Sequence, residues 1–140
     1  MKKLLVLIAF ILFSGITFSQ TLQKGNLVGV HVLNVTLQPD VTIDQFKDVM
    51  INKVIPTREK AFNNDVEIYL LEGIRGEANN QIGMIFLFKS EEVRDKWYIA
   101  EGQIRESLRE DFQAAMKEAV EERGKYAKWI SSKYTDWIVQ

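Results

Sequence analysis

The residues in this sequence that could do chemistry begin with its lone histidine, His31, inside the apolar run Leu27 to Leu37. An imidazole can accept a proton or donate a hydrogen bond near neutral pH. In a regular strand Gly29 shares the face of His31, and its missing side chain leaves space for a ligand. The alternative is a half-buried imidazole at a subunit contact that bonds to backbone or water. The sequence shows no acidic or nucleophilic partner, which favours this alternative and leaves both open.

Asn34 is the second polar side chain of this run, three residues after His31. An isolated polar pair in an otherwise apolar strand favours chemistry on a bound substrate. Side chains alternate between the two faces of a strand, however, so a spacing of three places His31 and Asn34 on opposite faces. This geometry weakens the interpretation as an enzyme.

The composition excludes several classes of site. The chain has no cysteine, which excludes disulfides, zinc–thiolate sites, iron–sulfur clusters and thiol nucleophiles. One histidine is too few for His-rich zinc sites and for the two-histidine iron site. With 18 basic and 19 acidic residues, the chain has no electrostatic signature of a nucleic-acid-binding protein. We therefore expect no metal, no cofactor and no nucleic-acid partner.

Residues 1–19 match a secretory signal peptide. Lys2 and Lys3 precede an apolar run from Leu4 to Phe13, and Thr17-Phe18-Ser19 offers a small-x-small cleavage site. A membrane anchor is the alternative, but the run of ten is shorter than the roughly 20 residues that a spanning helix needs. We expect an exported, periplasmic or extracellular protein that leaves the membrane after cleavage, with residues 20–140 forming a single domain.

The elements that must position the polar residues follow from turn, cap and periodicity signals. Leu27 to Leu37 is mostly apolar at both its odd-numbered and its even-numbered positions, which indicates a strand covered on both faces. Thr42-Ile43-Asp44-Gln45 matches a capping box and starts a helix. Pro56 predicts a kink in that helix near residues 54 and 55. The helix carries, at helical spacing, Phe46, Met50, Val54 and Ala61.

The second half of the chain predicts a hairpin, a helical region in two pieces and a last strand. The hairpin strands are again apolar in both parities, and Gly102 interrupts the helical region. The predicted elements are strands at 66–75 and 82–89, a helix capped by Ser90, a helix from about Ile104 to Arg123, and a strand at 134–139.

The order β-α-β-β-α-β predicts an α+β, ferredoxin-like fold with a four-stranded antiparallel sheet. Both helical regions of such a fold cover the same face of the sheet, yet three strands are apolar on both faces. The other face needs a cover as well. The simplest cover is a second copy of the sheet, which predicts a homodimer.

A doubly apolar sheet and a kinked first helix with the sequence VIPTREKA at 54–61 make the chain resemble the dimeric α+β barrel superfamily. This superfamily includes antibiotic-biosynthesis-monooxygenase-like and haem-degrading proteins. The C-terminal sequence KYTDWIV also resembles a group of secreted Bacteroidetes proteins of unknown role. The resemblance spans about residues 27–140 and lies in element order and burial pattern rather than in a catalytic motif.

The resemblance implies a small-molecule cleft between the sheet and its helices. Haem-degrading relatives use a helical histidine, which this chain lacks. Cofactor-free monooxygenase relatives use Asn, Trp, Tyr or Arg, and the residues of those types here are Asn34, Trp97, Tyr69 and Arg75. Core packing is the alternative role for Trp97, because Val93 precedes it by four residues. A solvated turn is the alternative for Arg75.

Three functions remain open from the sequence. The first is an exported binding or accessory domain with an apolar cleft for a small aromatic or lipid-like molecule. The second is a cofactor-independent monooxygenase acting on a small aromatic substrate, with His31 and Asn34 as its polar groups. The third is a structural or partner-binding module that uses the sheet only to dimerise. The missing metal ligands and the lack of an acid–base pair favour the first.

Overall fold

The computed structural model describes residues 22–99 and 102–140, apart from the side chains of residues 130–132. The predicted signal peptide at 1–19 lies outside this range. The first half contains strand β1 (Leu27–Leu37), helix α1 (Ile43–Val49), a π-helical segment (Met50–Val54), helix α2 (Ile55–Ala61) and strand β2 (Val66–Glu72). The second half contains strand β3 (Ile82–Phe88), helix α3 (Glu91–Trp97), helix α4 (Glu106–Gly124) and strand β4 (Ala127–Ile138). Within this part of the chain, no helix is both long and apolar enough to cross a membrane.

The four strands form one antiparallel sheet in the order β2-β3-β1-β4. This order and the helical connections are those of the ferredoxin-like α+β fold, so the predicted fold class is confirmed. In the register, His31 of β1 lies between Met84 of β3 and Tyr134 of β4. The centre of the sheet therefore carries the only histidine of the sequence.

The predicted start of the first helix is confirmed. The Gln45 amide donates to the Thr42 hydroxyl at 3.3 Å, and the Thr42 amide donates to the Gln45 side chain at 2.8 Å. The kink predicted at Pro56 takes the form of the π segment that ends immediately before α2. Proline has no N–H to donate there, and the Thr57 hydroxyl donates to the Lys53 carbonyl at 2.8 Å.

The π segment keeps both ends of the first helical region on the same core. Phe46 and Phe62 are both fully buried. Phe62 follows Phe46 by sixteen positions. In a continuous α-helix their side chains would point about 160° apart, because each residue turns the helix by about 100°. A π turn accommodates about one extra residue and removes most of this difference. The side chains of α1 and α2 therefore face the same sheet surface.

The predicted last strand was too short. β4 begins at Ala127, seven residues before the predicted start at Tyr134, and pairs with all of β1. Its register shifts between Val32 and Leu33, where β4 carries one extra residue. Such a bulge breaks the two-residue alternation that identifies a strand in a sequence, and it explains why the first half of β4 was missed.

The two faces of the sheet differ. The helices pack on the face that carries Leu27, Leu33, Met84 and Phe86 and form the core there. The outer face has no helix among the described residues. Its centre is formed by half-buried or buried aliphatic side chains, and large hydrophobic residues remain exposed around them: Val28, Val30, Val32, Ile85 and Leu87, with Tyr69, Leu71 and Trp137.

Candidate functional site: a cleft with two arginines

The structure does not gather the five sequence-predicted site residues into one place. His31 faces the helices, whereas Asn34 and Tyr69 lie on the outer face of the sheet, as the alternation predicts for His31 and Asn34. Trp97 is buried at the end of α3, and Arg75 is exposed in the connection between β2 and β3. These positions divide the candidates between two faces and a loop.

His31 is held in an aromatic and cationic environment. Its ring lies 4.6 Å from that of Phe86 and 5.6 Å from that of Tyr134, between centroids. Burial lowers the pKa of His31 to about 4, and the nearby Arg58 and Arg94 add to this effect while Asp136 opposes it. The imidazole is therefore neutral at pH 7, where it can accept a hydrogen bond but carries no charge.

The space beside Gly29 is largely filled. A side chain at Gly29 would meet the Asp136 carboxylate at 3.1 Å and the Phe86 Cβ at 3.6 Å. The cavity that remains between His31 and these residues measures about 20 Å³, which is room for about one water molecule. An aromatic substrate does not fit in this cavity.

Arg94 closes this region with a fully engaged guanidinium. Its side chain is 8% exposed and forms ion pairs with Asp136 at 2.9 Å and Asp95 at 3.1 Å. It also donates to the Ile99 carbonyl at 3.0 Å. We call His31, Arg94, Tyr134 and Asp136 the histidine cluster.

Trp97 has a packing role in the structure. Its indole N–H donates to the Asp65 carboxylate at 2.9 Å, and its ring meets that of Phe62 edge-on at 5.2 Å. Burial alone would raise the pKa of Asp65, but hydrogen bonds from Lys96 and Trp97 outweigh burial and lower it. This arrangement ties α3 to the turn before β2.

The structure also contains an open cleft of about 680 Å³. It lies between the first helical region, α4 and the early part of β4. We call it the helix–strand cleft. Its lining includes apolar side chains together with charged ones: Val54, Phe112, Met116, Val120 and Trp129, with Arg58, Glu110, Lys117, Glu121 and Arg123. A volume of this size is typical of sites for small organic ligands.

Arg58 reaches the cleft from α2 across aromatic rings. Its guanidinium carbon lies 5.0 Å from the ring centre of Phe86 and 6.0 Å from those of Phe62 and Phe112. Its Nε is buried and has no hydrogen-bond partner. Stacking on aromatic faces holds the guanidinium group in position.

Arg123 enters the cleft from the last turn of α4. Its guanidinium carbon lies 4.5 Å from the ring centre of Trp129, and its Nε is also buried without a hydrogen-bond partner. Burial lowers the pKa of Arg123, and the positive charge of Arg58 lowers it further. The positive charges of Arg58 and Arg123 therefore repel each other in the cleft.

No group of three or more His, Cys, Asp or Glu side chains that could bind a metal occurs in the part of the chain that the structure describes. The cleft instead provides apolar surface, the aromatic rings of Phe112 and Trp129, and cationic N–H donors that include two guanidinium groups. These groups can bind a small molecule and orient an anionic part of it.

Arg58, Arg123 and Trp129 were not predicted as site residues, although the sequence contains a signal for two of them. Arg58 follows the buried Val54 by four residues, and Arg123 follows the buried Ala119 by four. An arginine on the apolar stripe of a helix differs from one on its solvated face. Trp129 had no such signal, because it lies in the first half of β4, which the sequence does not predict.

No protein-family model matches the chain, and no curated protein matches it in sequence. The solved structures that are similar to it include the following two. One is SnoaB, a cofactor-independent oxygenase from Streptomyces nogalater, with 11% identity over 83% of this chain and 94% of that one, and a TM-score of 0.39. The other is a dimeric protein of unknown function and ferredoxin-like fold from Bacteroides fragilis NCTC 9343, with 10% identity over 82% and 97% of the two chains and a TM-score of 0.38.

Proposed function

We propose that this protein is a small-molecule-binding domain and that its ligand occupies the helix–strand cleft. The observation that carries the proposal is the cleft itself: about 680 Å³ of space bounded by apolar side chains and the ring of Trp129. Val120 lines it and is 41% exposed. A ligand in the cleft would cover Val120 and the neighbouring apolar surface, which favours binding through the hydrophobic effect.

The described lining favours binding over catalysis. It contains no histidine, and its carboxylates, Glu110 and Glu121, lie on exposed turns of α4. General acid–base catalysis needs a proton-transferring group with a pKa near the working pH and within reach of the substrate. His31 lies in the histidine cluster, beside a cavity of only about 20 Å³.

A neutral fluorescent probe, N-phenyl-1-naphthylamine, tests the proposal. The protein expressed from the complete sequence should bind the probe saturably and increase its emission. Val120→Trp would fill the cleft and should weaken binding about tenfold or more, because the apolar contact area is lost. Glu118→Trp adds the same side chain on an exposed turn of α4 outside the lining and should leave binding unchanged.

Equal probe binding by both tryptophan variants would contradict the proposal, because the probe would then occupy another surface. Native mass spectrometry of the same preparation gives a second readout. A retained mass that disappears in Val120→Trp would identify the occupant of the cleft.

We further propose that the protein is exported and acts as a homodimer whose two sheets pack through their outer faces. Val30 and Ile85 lie at the centre of this face, and Trp137 at its edge is 62% exposed. An apolar sheet face of this kind marks an interaction surface. The outer face of a second copy can pack on it, because two identical sheets have the same twist and sheets of similar twist pack face to face in an aligned arrangement.

Sedimentation equilibrium tests the dimer. Val30→Asp places a charge at the centre of the outer face and should give a folded monomer. Thr36 lies on the same face near the end of β1 and is exposed, so the Thr36→Asp variant should remain a dimer. A wild-type monomer at micromolar concentration would refute the dimer, and the intact mass of the purified protein tests cleavage after Ser19.

A further inference from the structure

The helix–strand cleft is lined by two arginines, Arg58 and Arg123, that form no ion pair with any described residue. Glu122, the residue next to Arg123, is engaged by Lys53 at 3.5 Å and Lys125 at 2.7 Å. Glu110 and Glu121 line the cleft, yet neither forms an ion pair with Arg58 or Arg123 in the part of the chain that the structure describes. Glu59, the residue next to Arg58, accepts a hydrogen bond from the Ile68 amide at 2.8 Å. Both guanidinium groups therefore have no ion-pair partner among the described residues.

Both arginines hold their position at the cost of a buried donor. The Nε atoms of Arg58 and Arg123 are inaccessible to solvent and have no hydrogen-bond partner among the described residues. Buried polar groups in folded proteins are nearly always hydrogen-bonded, so two exceptions in one cleft need an explanation. Arg94 shows the ordinary arrangement in the same molecule, with two carboxylates and a carbonyl around its guanidinium.

We propose that the ligand of the helix–strand cleft is an amphipathic carboxylate, with its carboxylate between Arg58 and Arg123 and its apolar body along Val54, Met116 and Trp129. This inference rests on the proposed function of the cleft and adds the chemical class of the ligand. A carboxylate supplies the missing counter-charge to two cations at once. Arginine is suited to it, because its planar fork matches the two carboxylate oxygens.

The arrangement also selects against other ligands. A neutral apolar molecule would leave both charges uncompensated in a site from which it had displaced water. A cation would be repelled by both guanidinium groups. A small inorganic anion would satisfy the charge but leave the apolar lining exposed. The combination of paired arginines and apolar walls therefore favours an anion that carries a hydrocarbon or aromatic body.

Displacement of N-phenyl-1-naphthylamine by decanoate and by decanamide tests the inference at neutral pH. The two competitors have the same chain and differ in head-group charge. Decanoate should displace the probe at a concentration at least about tenfold lower, because charge-assisted bonds to arginine are stronger than neutral ones. This comparison uses the unaltered protein and does not depend on the folding of a variant.

Arg58→Gln and Arg123→Gln should each reduce the affinity for decanoate about tenfold and leave that for decanamide within about twofold. Arg109→Gln is the matched control, since Arg109 lies on α4 outside the cleft lining, and it should change neither. Equal displacement by both competitors would overturn the inference while leaving the binding function intact. The proposed function separately requires that Val120→Trp loses probe binding. If that variant binds the probe normally, both the binding function and the carboxylate inference are refuted.

Discussion

The histidine cluster and the helix–strand cleft lie on the same face of one sheet, and both contain arginines beside aromatic rings. In the histidine cluster, Arg94 is buried and meets two carboxylates and a backbone carbonyl. In the cleft, Arg58 and Arg123 meet aromatic rings and have no counter-ion among the described residues. The difference separates an arginine that is bonded to the fold from two arginines without an ion pair among the described residues, and the proposed ligand would meet the second kind.

Arg94→Met, in the histidine cluster, is expected to change the free energy of unfolding more than any other substitution in this comparison. It leaves Asp136, whose side chain is 28% exposed, without its partner beside His31. The loss of charge-assisted hydrogen bonds from a buried arginine costs about 2 kcal/mol of unfolding free energy. Denaturant unfolding measures this loss. Arg109→Met removes an exposed arginine 3.9 Å from Glu106 and should cost less than about 0.5 kcal/mol. An equally small loss for Arg94→Met would show that the histidine cluster is not a structural anchor.

The second effect is a dependence of stability on pH through His31. Its pKa is about 4 in the folded protein, against an ordinary value of 6.5 that applies to the unfolded chain. Between these values the unfolded chain binds more protons, so stability is full above pH 6.5 and falls as the pH falls toward 4. From pH 7 to pH 5 we expect a loss of about 1.5 kcal/mol, after allowing for partial solvent screening.

His31→Gln provides the control for this measurement. The variant lacks the titrating group and should lose less stability than the wild type over the same pH range, in unfolding experiments at matched ionic strength. An identical pH dependence in both proteins would mean that other groups cause it.

A smaller change is expected for Arg123→Met. The guanidinium of Arg123 has a buried donor that is not hydrogen-bonded among the described residues. Methionine replaces it with an apolar side chain that still packs on Trp129. Because no bonded partner is left behind, the unfolding free energy should stay within about 1 kcal/mol of the wild type or rise. A loss comparable with that of Arg94→Met would show that the two arginines have the same structural role.

The smallest expected effect links the two regions. Arg58 is the second contribution, after burial, that lowers the pKa of His31. A carboxylate bound beside Arg58 would offset part of its charge and should raise the His31 pKa by less than about one unit. Because the chain has one histidine, a proton NMR titration reports this group alone. Decane-1-sulfonate is the ligand for this titration, because it stays ionised at the His31 midpoint near pH 4, where decanoate would be largely protonated. An unchanged midpoint at saturating sulfonate would place the anionic group away from Arg58.

The fold could be predicted from the sequence where local signals and burial agree. The Thr42 cap, the hairpin partners and the interruption at Gly102, which adopts a φ of 72°, all have short-range causes. The opposite faces of His31 and Asn34 followed from alternation alone. The start of β4 could not be predicted, because the bulge opposite Val32 and Leu33 breaks that alternation.

The candidate site was less accessible to prediction, because its residues come together only in three dimensions. Arg58 and Arg123 are 65 positions apart in the sequence, and no spacing rule connects them. The surroundings of His31 were equally hidden: Gly29 indicated open space, but Asp136 fills it from the neighbouring strand. The available signal was that Arg58 and Arg123 each lie on the apolar stripe of a helix. This signal identifies a candidate residue but not the residues that surround it in the fold.

The π segment at Met50–Val54 has a consequence for how this protein can evolve. It brings Phe62 into the core and Arg58 to the cleft by changing the helical phase. Gain or loss of one codon there would turn both side chains by about 100°. The exposed connection at 73–81 carries no such constraint. Descendants of this sequence should therefore vary in length between β2 and β3 and keep a fixed number of residues between Thr42 and Phe62.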